Sequence, residues 1–206
     1  MSQAHEQFDF DDAPQPEAQH FPWYFAWAEI ITRPGVKTFQ RLLADPQARA
    51  QRGYLWMFVV TAISNTLVAL ITGNTLGITP LMAVLLMPLY GGAIGLISFI
   101  ATNWVIQRIA VAMGAPENYG KFHYAQAIYG APLTLATIPL GIITLAPEPS
   151  LLVQGVLLGV QAVMTAMALR AVNGMDWQQA LRVVAIVIFL VTVFTMALGM
   201  FFVPVA

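Results

Sequence analysis

Five long apolar runs decide what this chain can become. They fall at 54–72, 81–106, 124–145, 151–169 and 181–203, and none has an Asp, Glu, Lys, Arg or His in its interior. About 20 apolar residues in helical form cross ~30 Å of hydrocarbon. Inside a bilayer every backbone N–H and C=O must be paired within the chain, which leaves helices or closed barrels. A barrel would show alternating segments of about ten residues instead. Each run is therefore predicted to be a transmembrane helix. Composition agrees: only 9% of the 206 residues are charged, against ~25% in a soluble domain. An ordinary soluble enzyme is excluded, and 58% hydrophobic residues exclude a disordered chain. The expected fold class is an all-α integral membrane protein: a bundle of five transmembrane helices with a cytoplasmic N-terminal amphipathic helix.

The positive charges set the expected orientation. Arg33, Lys37, Arg41, Arg49 and Arg52 precede the first run, Arg108 and Lys121 lie between the second and third, and Arg170 and Arg182 fall at the junction of the fourth and fifth. That accounts for all nine Lys and Arg. The 73–80 and 146–150 connections and the C-terminus carry none. Cytoplasmic loops hold the excess of Lys and Arg, so the N-terminus is expected in the cytoplasm and the C-terminus outside. No basic segment followed by a short apolar core marks a cleavable signal peptide, so insertion is expected to use the spans themselves. No basic patch of the size nucleic-acid binding requires is present. Cys is absent, so disulfides, thiolate nucleophiles and Cys metal sites are excluded.

Three regions follow. Residues 1–22 hold Glu6, Asp9, Asp11, Asp12 and Glu17, three prolines and no Lys or Arg, and are read as an acidic disordered tail. Residues 23–52 form a cytoplasmic interfacial segment, and 53–206 the transmembrane domain. In the interfacial segment Trp23, Tyr24, Phe25 and Trp27 make an aromatic cluster of the kind found at membrane surfaces. Thr32 is placed as the cap of a following helix, with Pro34 in its first turn. On that helix Arg33, Lys37 and Arg41 share one face and Val36, Phe39 and Leu43 another. Such a helix either lies in the interface or packs on the spans with its bases in water. Trp23, Trp27, Arg33, Lys37 and Arg41 are the candidate lipid- or partner-binding residues.

Within the spans, Gly91 and Gly95, and Gly155 and Gly159, form GxxxG pairs. Small residues let helix backbones approach closely, so these are the candidate packing residues, first of all between the second and fourth spans. Ser64, Asn65, Thr66, Asn103, Gln154, Gln161 and Thr165 are read mainly as interhelical glue. Pro132 and Pro139 should kink the third span. No span carries a buried ionisable group for ion coupling. His123 stands alone, and the sequence has neither a G-x-S-x-G elbow nor a phosphate loop. Asn173-Gly174 marks a turn, with Asp176 as a cap and Trp177 as an interfacial anchor for the last helix. No cofactor, no metal and no enzymatic activity are expected.

The order of these features resembles the Yip family of Ypt-interacting membrane proteins. The stretch Trp27-Ala28-Glu29-Ile30-Ile31-Thr32-Arg33-Pro34, followed by Thr38-Phe39 and Leu42-Leu43, is similar to the family segment before its first span. Residues 114–132, with Lys121-Phe122, Tyr124-Ala125 and Ala131-Pro132, and residues 169–180, with Gly174, Trp177 and Ala180, carry the rest. The resemblance covers roughly residues 23–203 and implies five spans with a cytoplasmic N-terminus. Its eukaryotic members bind prenylated Rab-type GTPases in vesicle traffic. The Asp-Leu-Tyr-Gly-Pro-type segment of those relatives is missing here, so a Rab-type GTPase is a doubtful partner. The compact loops match the prokaryotic branch, which implies a plasma-membrane location. The expected function is a non-catalytic membrane scaffold or accessory subunit, partnered by the bilayer and by another membrane protein or a second copy. The alternative is a permeation protein for a neutral or hydrophobic solute, with Asn65, Asn103, Gln154 and Gln161 along its path.

Overall fold

The computed structural model describes residues 20–73, 79–143 and 147–202. All regular structure among them is helical. Two short helices, α1 (Trp23–Thr32) and α2 (Val36–Leu43), precede five long ones: α3 (Ala50–Thr72), α4 (Pro80–Ala112), α5 (Tyr119–Ile143), α6 (Pro147–Asn173) and α7 (Trp177–Phe202). Among the described residues α3, α4, α6 and α7 are long and apolar enough to cross a bilayer. Their outer faces expose Leu81, Ile97, Leu152, Phe189 and Phe194, an apolar surface far beyond what a soluble monomer carries. The chain is an all-α integral membrane protein.

The N-terminal half of α5 is the hub. Phe122, Tyr124, Ala125, Ala127, Ile128 and Ala131 are fully buried, because α1, α2, α3, α4 and α6 all pack around this helix. A helix buried on every side is mostly apolar or small, and the sequence supplies aromatics, alanines and Ile128, with His123 and Gln126 as buried polar residues among them. α3 makes its largest contacts with α4 and α5, and α7 leans on α6 and α4. α5 is helical through both Pro132 and Pro139.

The N-terminal pair differs from expectation. Thr32 does not cap the second helix; it ends the first, and its hydroxyl donates back to the Ala28 carbonyl at 2.7 Å. The residue before a proline is pushed out of the helical region, so the chain breaks at Arg33, and α2 begins only after Gly35. Arg33 and Pro34 therefore lie in the connection, where the Arg33 carbonyl accepts the Thr38 hydroxyl at 2.7 Å. α2 turns Phe39, Leu42 and Leu43 into the bundle, against α5 and α6. Its apolar face is spent on the protein.

The last junction follows the expected chemistry. Gly174 takes the left-handed conformation at φ 67°, which favours glycine. Asp176 then accepts the Gln179 N–H at 2.7 Å, and the Gln179 side chain accepts the Asp176 N–H at 3.4 Å. This reciprocal pair is a capping box. Asp176→Ala is expected to cost about 1 kcal/mol and Asp176→Asn much less, read as the thermal unfolding temperature in detergent; equal temperatures for the two variants would refute the cap.

Candidate functional site

Asp45 is the only acid between Glu29 and Glu117, and its carboxylate is fully buried. It accepts the backbone N–H of Gln47 at 2.8 Å and of Phe21 at 3.0 Å. Arg52, at the start of α3, donates to it at 3.2 Å and to the Phe21 carbonyl at 2.7 Å. His20 lies 3.5 Å away, and the Arg52 guanidinium also covers the Trp56 ring at 4.9 Å. Burial alone would raise the Asp45 pKa. The N–H groups of Gln47 and Phe21, with His20 and Arg52, outweigh it and hold the carboxyl below its ordinary 3.8. The result is a latch that ties three separate stretches of chain: the residues entering α1, the α2–α3 turn and α3 itself. The sequence assigns His20 to Pro22 to the disordered tail; the latch instead anchors His20 and Phe21, while residues 1–19 lie outside the described ones.

The latch sets the pose of α1. Ala26 and Ile30 face inward, while Trp23, Tyr24, Phe25 and Ile31 stay exposed. A run of rings links surface to core: Trp23 to Trp27 at 4.9 Å, Trp27 to Trp56 at 5.8 Å, Trp56 to Tyr124 at 5.4 Å. Trp27 is thus half-buried and belongs to the packing as much as to the surface. Lys37 and Arg33 point to the exterior. Arg41 does not act as a free cation, because it forms an ion pair with Glu29 across the two helices and sits over the Phe21 ring at 5.9 Å. The expected triad of free bases is therefore a pair. At the other cation-bearing helix ends arginines also find rings: Arg108 lies over Trp104 at 5.2 Å and Arg170 over Trp177 at 4.6 Å.

The two GxxxG pairs part company. A Cβ on Gly91 would stand 2.6 Å from the Asn65 Cβ, and one on Gly95 2.5 Å from the Thr61 Cβ. These glycines seat α4 on α3, not on the fourth span. Among the described residues nothing lies within 4 Å of a Cβ on Gly155 or Gly159. Asn65 is glue, its amide donating to the Gly91 carbonyl at 3.3 Å. Gln154 is exposed. Asn103 and Gln161 instead line a cavity of about 320 Å³ bounded by α3, α4, α5 and α6. His123 is buried at the start of α5, with the Tyr54 hydroxyl 2.9 Å from its Nδ1.

No protein-family profile matches the chain, and neither a curated protein nor a solved structure is detectably similar to it. The reading of function therefore rests on the residues themselves.

The latch is not among the features that the sequence singles out. One signal was available: a lone acid in an otherwise basic segment, seven residues before an arginine at the mouth of a span. The Gln107 and Asn173 amides are further partners that spacing alone does not reveal. Both donate to the Pro116 carbonyl, at 3.4 Å and 2.6 Å, and so tie the α4–α5 connection to α4 and α6.

Proposed function

We propose that this chain is a five-span membrane protein of the Yip type that serves as a non-catalytic scaffold or accessory subunit. α5 is taken as the remaining span, since its 25 helical residues rise ~37 Å, more than the hydrocarbon thickness. In this reading the cation-bearing helix ends and the N-terminus face the cytoplasm of a prokaryotic cell. The observation that carries the proposal is the pairing of a fixed inner face with an open outer one on α1. The latch and the ring stack hold the helix rigidly, yet Trp23, Tyr24, Phe25 and Ile31 remain uncovered. Rigid aromatic side chains lose little freedom on contact and dominate the centres of protein interfaces. Arg33 and Lys37 flank this face and add attraction for an acidic partner or an anionic surface. The acidic stretch in residues 1–19 precedes it directly.

A photo-crosslinking residue at Tyr24 of the full chain, in its native membranes, tests this. A single discrete protein adduct is expected there, with lipid adducts alone from the same probe at Leu85 on the outer face of α4. Lipid adducts alone at Tyr24 would overturn the subunit reading.

A further inference from the structure

The cavity bounded by α3 to α6 is lined by polar side chains without charge: Thr102, Asn103, Gln126, Tyr129, Gln161 and Thr165 all contribute. Much of this lining is already organised. The Tyr129 hydroxyl donates to the Gln126 side-chain oxygen and lies 2.7 Å from the Thr165 hydroxyl. Thr165 is also 2.8 Å from the Gln161 carbonyl. Two donors are left over. The amide nitrogens of Asn103 and Gln126 are buried and have no hydrogen-bond partner among the described residues, and both residues are at least 95% buried. A buried donor without an acceptor is costly in a low-dielectric interior. Both belong to side chains that line this cavity, and a ligand that brings oxygen acceptors would satisfy them. The volume falls at the lower end of the range of small-molecule sites.

The cavity does not end in polar groups. Thr102, Ile106, Gln161 and Thr165 are shared with a second hollow of about 300 Å³ between α4, α6 and α7, whose other walls include Leu158, Val184, Val187 and Val191. The polar chamber thus shares one wall with an apolar groove. Depth adds a further constraint. Asn103, Gln126 and Thr165 each lie five residues inward of a cation, Arg108, Lys121 and Arg170 respectively. Five helical residues rise ~7.5 Å, about the thickness of one headgroup layer. With those cations at the membrane surface, the polar groups stand where the hydroxyls and ester carbonyls of a glycerolipid meet the hydrocarbon.

We propose that this paired cavity is a binding site for an uncharged glycerolipid, its hydroxyl and ester oxygens taken by Asn103 and Gln126 and its acyl chain laid in the groove under Val187. No Lys or Arg lines either hollow, so nothing there would repay the desolvation of a phosphate or a free carboxylate. This inference goes beyond the scaffold reading and does not depend on it.

The test uses the full chain in phosphatidylcholine nanodiscs with a diazirine-bearing monoacylglycerol. Saturable labelling is expected on α4, α5 and α6, competed by monoolein and not by oleate. Asn103→Leu and Gln126→Leu should each weaken labelling by about tenfold, the worth of one buried hydrogen bond. The thermal unfolding temperature of Asn103→Leu should not fall, because the substitution removes an unpaired amide at similar volume. Val187→Trp, which fills the groove and leaves both amides, should abolish competition by monoolein. Labelling spread over the outer faces at Leu85 and Phe189, equal competition by oleate, or labelling indifferent to the two amide substitutions would each overturn the proposal.

Discussion

Arg52→Ala is expected to destabilise the detergent-solubilised protein by roughly 3 kcal/mol near neutral pH, the lower end of the range for removing one partner of a buried ion pair. The loss is large because Arg52 satisfies two buried acceptors at once, the Asp45 carboxylate and the Phe21 carbonyl, and leaves the carboxylate buried without its cation. Release of α1 should accompany it, visible as faster proteolysis between α1 and α3. The pH dependence checks the mechanism. The Asp45 pKa lies below its ordinary 3.8, so its contribution is present in full above that value and is lost as pH falls through the folded-state pKa. The difference in stability between wild type and Arg52→Ala should therefore shrink below about pH 4. A variant as stable as wild type at neutral pH, or a difference unaffected by acid, would refute the latch.

Gly95→Leu is expected to destabilise the bundle by roughly 1–3 kcal/mol or more, the usual cost of overpacking. A Cβ there meets three atoms of Thr61 at 2.5 to 2.7 Å. The Thr61 side chain has little room to withdraw, because its hydroxyl is held by the Met57 carbonyl at 2.6 Å. Gly91→Leu should behave alike against Asn65. Gly155→Ala and Gly159→Ala meet nothing within 4 Å and should gain up to ~1 kcal/mol each from helix propensity. Thermal unfolding of the four variants in one detergent decides the matter. Equal effects at the two motifs would mean that α6 is covered by protein where it is now open.

The contrast between the two GxxxG pairs marks the limit of what sequence spacing determines. The long helices were legible because charge-free runs of about 20 residues leave a backbone in lipid no other choice, and the Asn173-Gly174 turn with its Asp176 cap was legible because the signal is local. Which glycine pair meets a neighbour was not, since both present the same spacing and only the packing order of the helices separates them. The Arg33-Lys37-Arg41 stripe misled for a related reason. Its periodicity assumes one helix, and Pro34 divides it. Arg41 then turns to Glu29, a partner on the other side of the break. The cavity amides were visible as polar residues in spans, but Asn65 and Asn103 have equal claims in the sequence. Gly91 offers a carbonyl to the first, while the second is left facing a hollow.

The seating of α2 also fixes an order of assembly. Its buried residues rest on α5 and α6, yet α2 ends at Leu43 and α6 begins at Pro147, about 100 residues later. At 5–20 residues per second of synthesis the helix waits on the order of 5–20 s for its binding surface to exist. During that interval Phe39 and Leu42 have no core to enter, and the membrane surface is where a short basic amphipathic segment comes to rest. An element made early is thus among the last to dock, and the amphipathic pattern describes a waiting state on the bilayer as well as a finished contact.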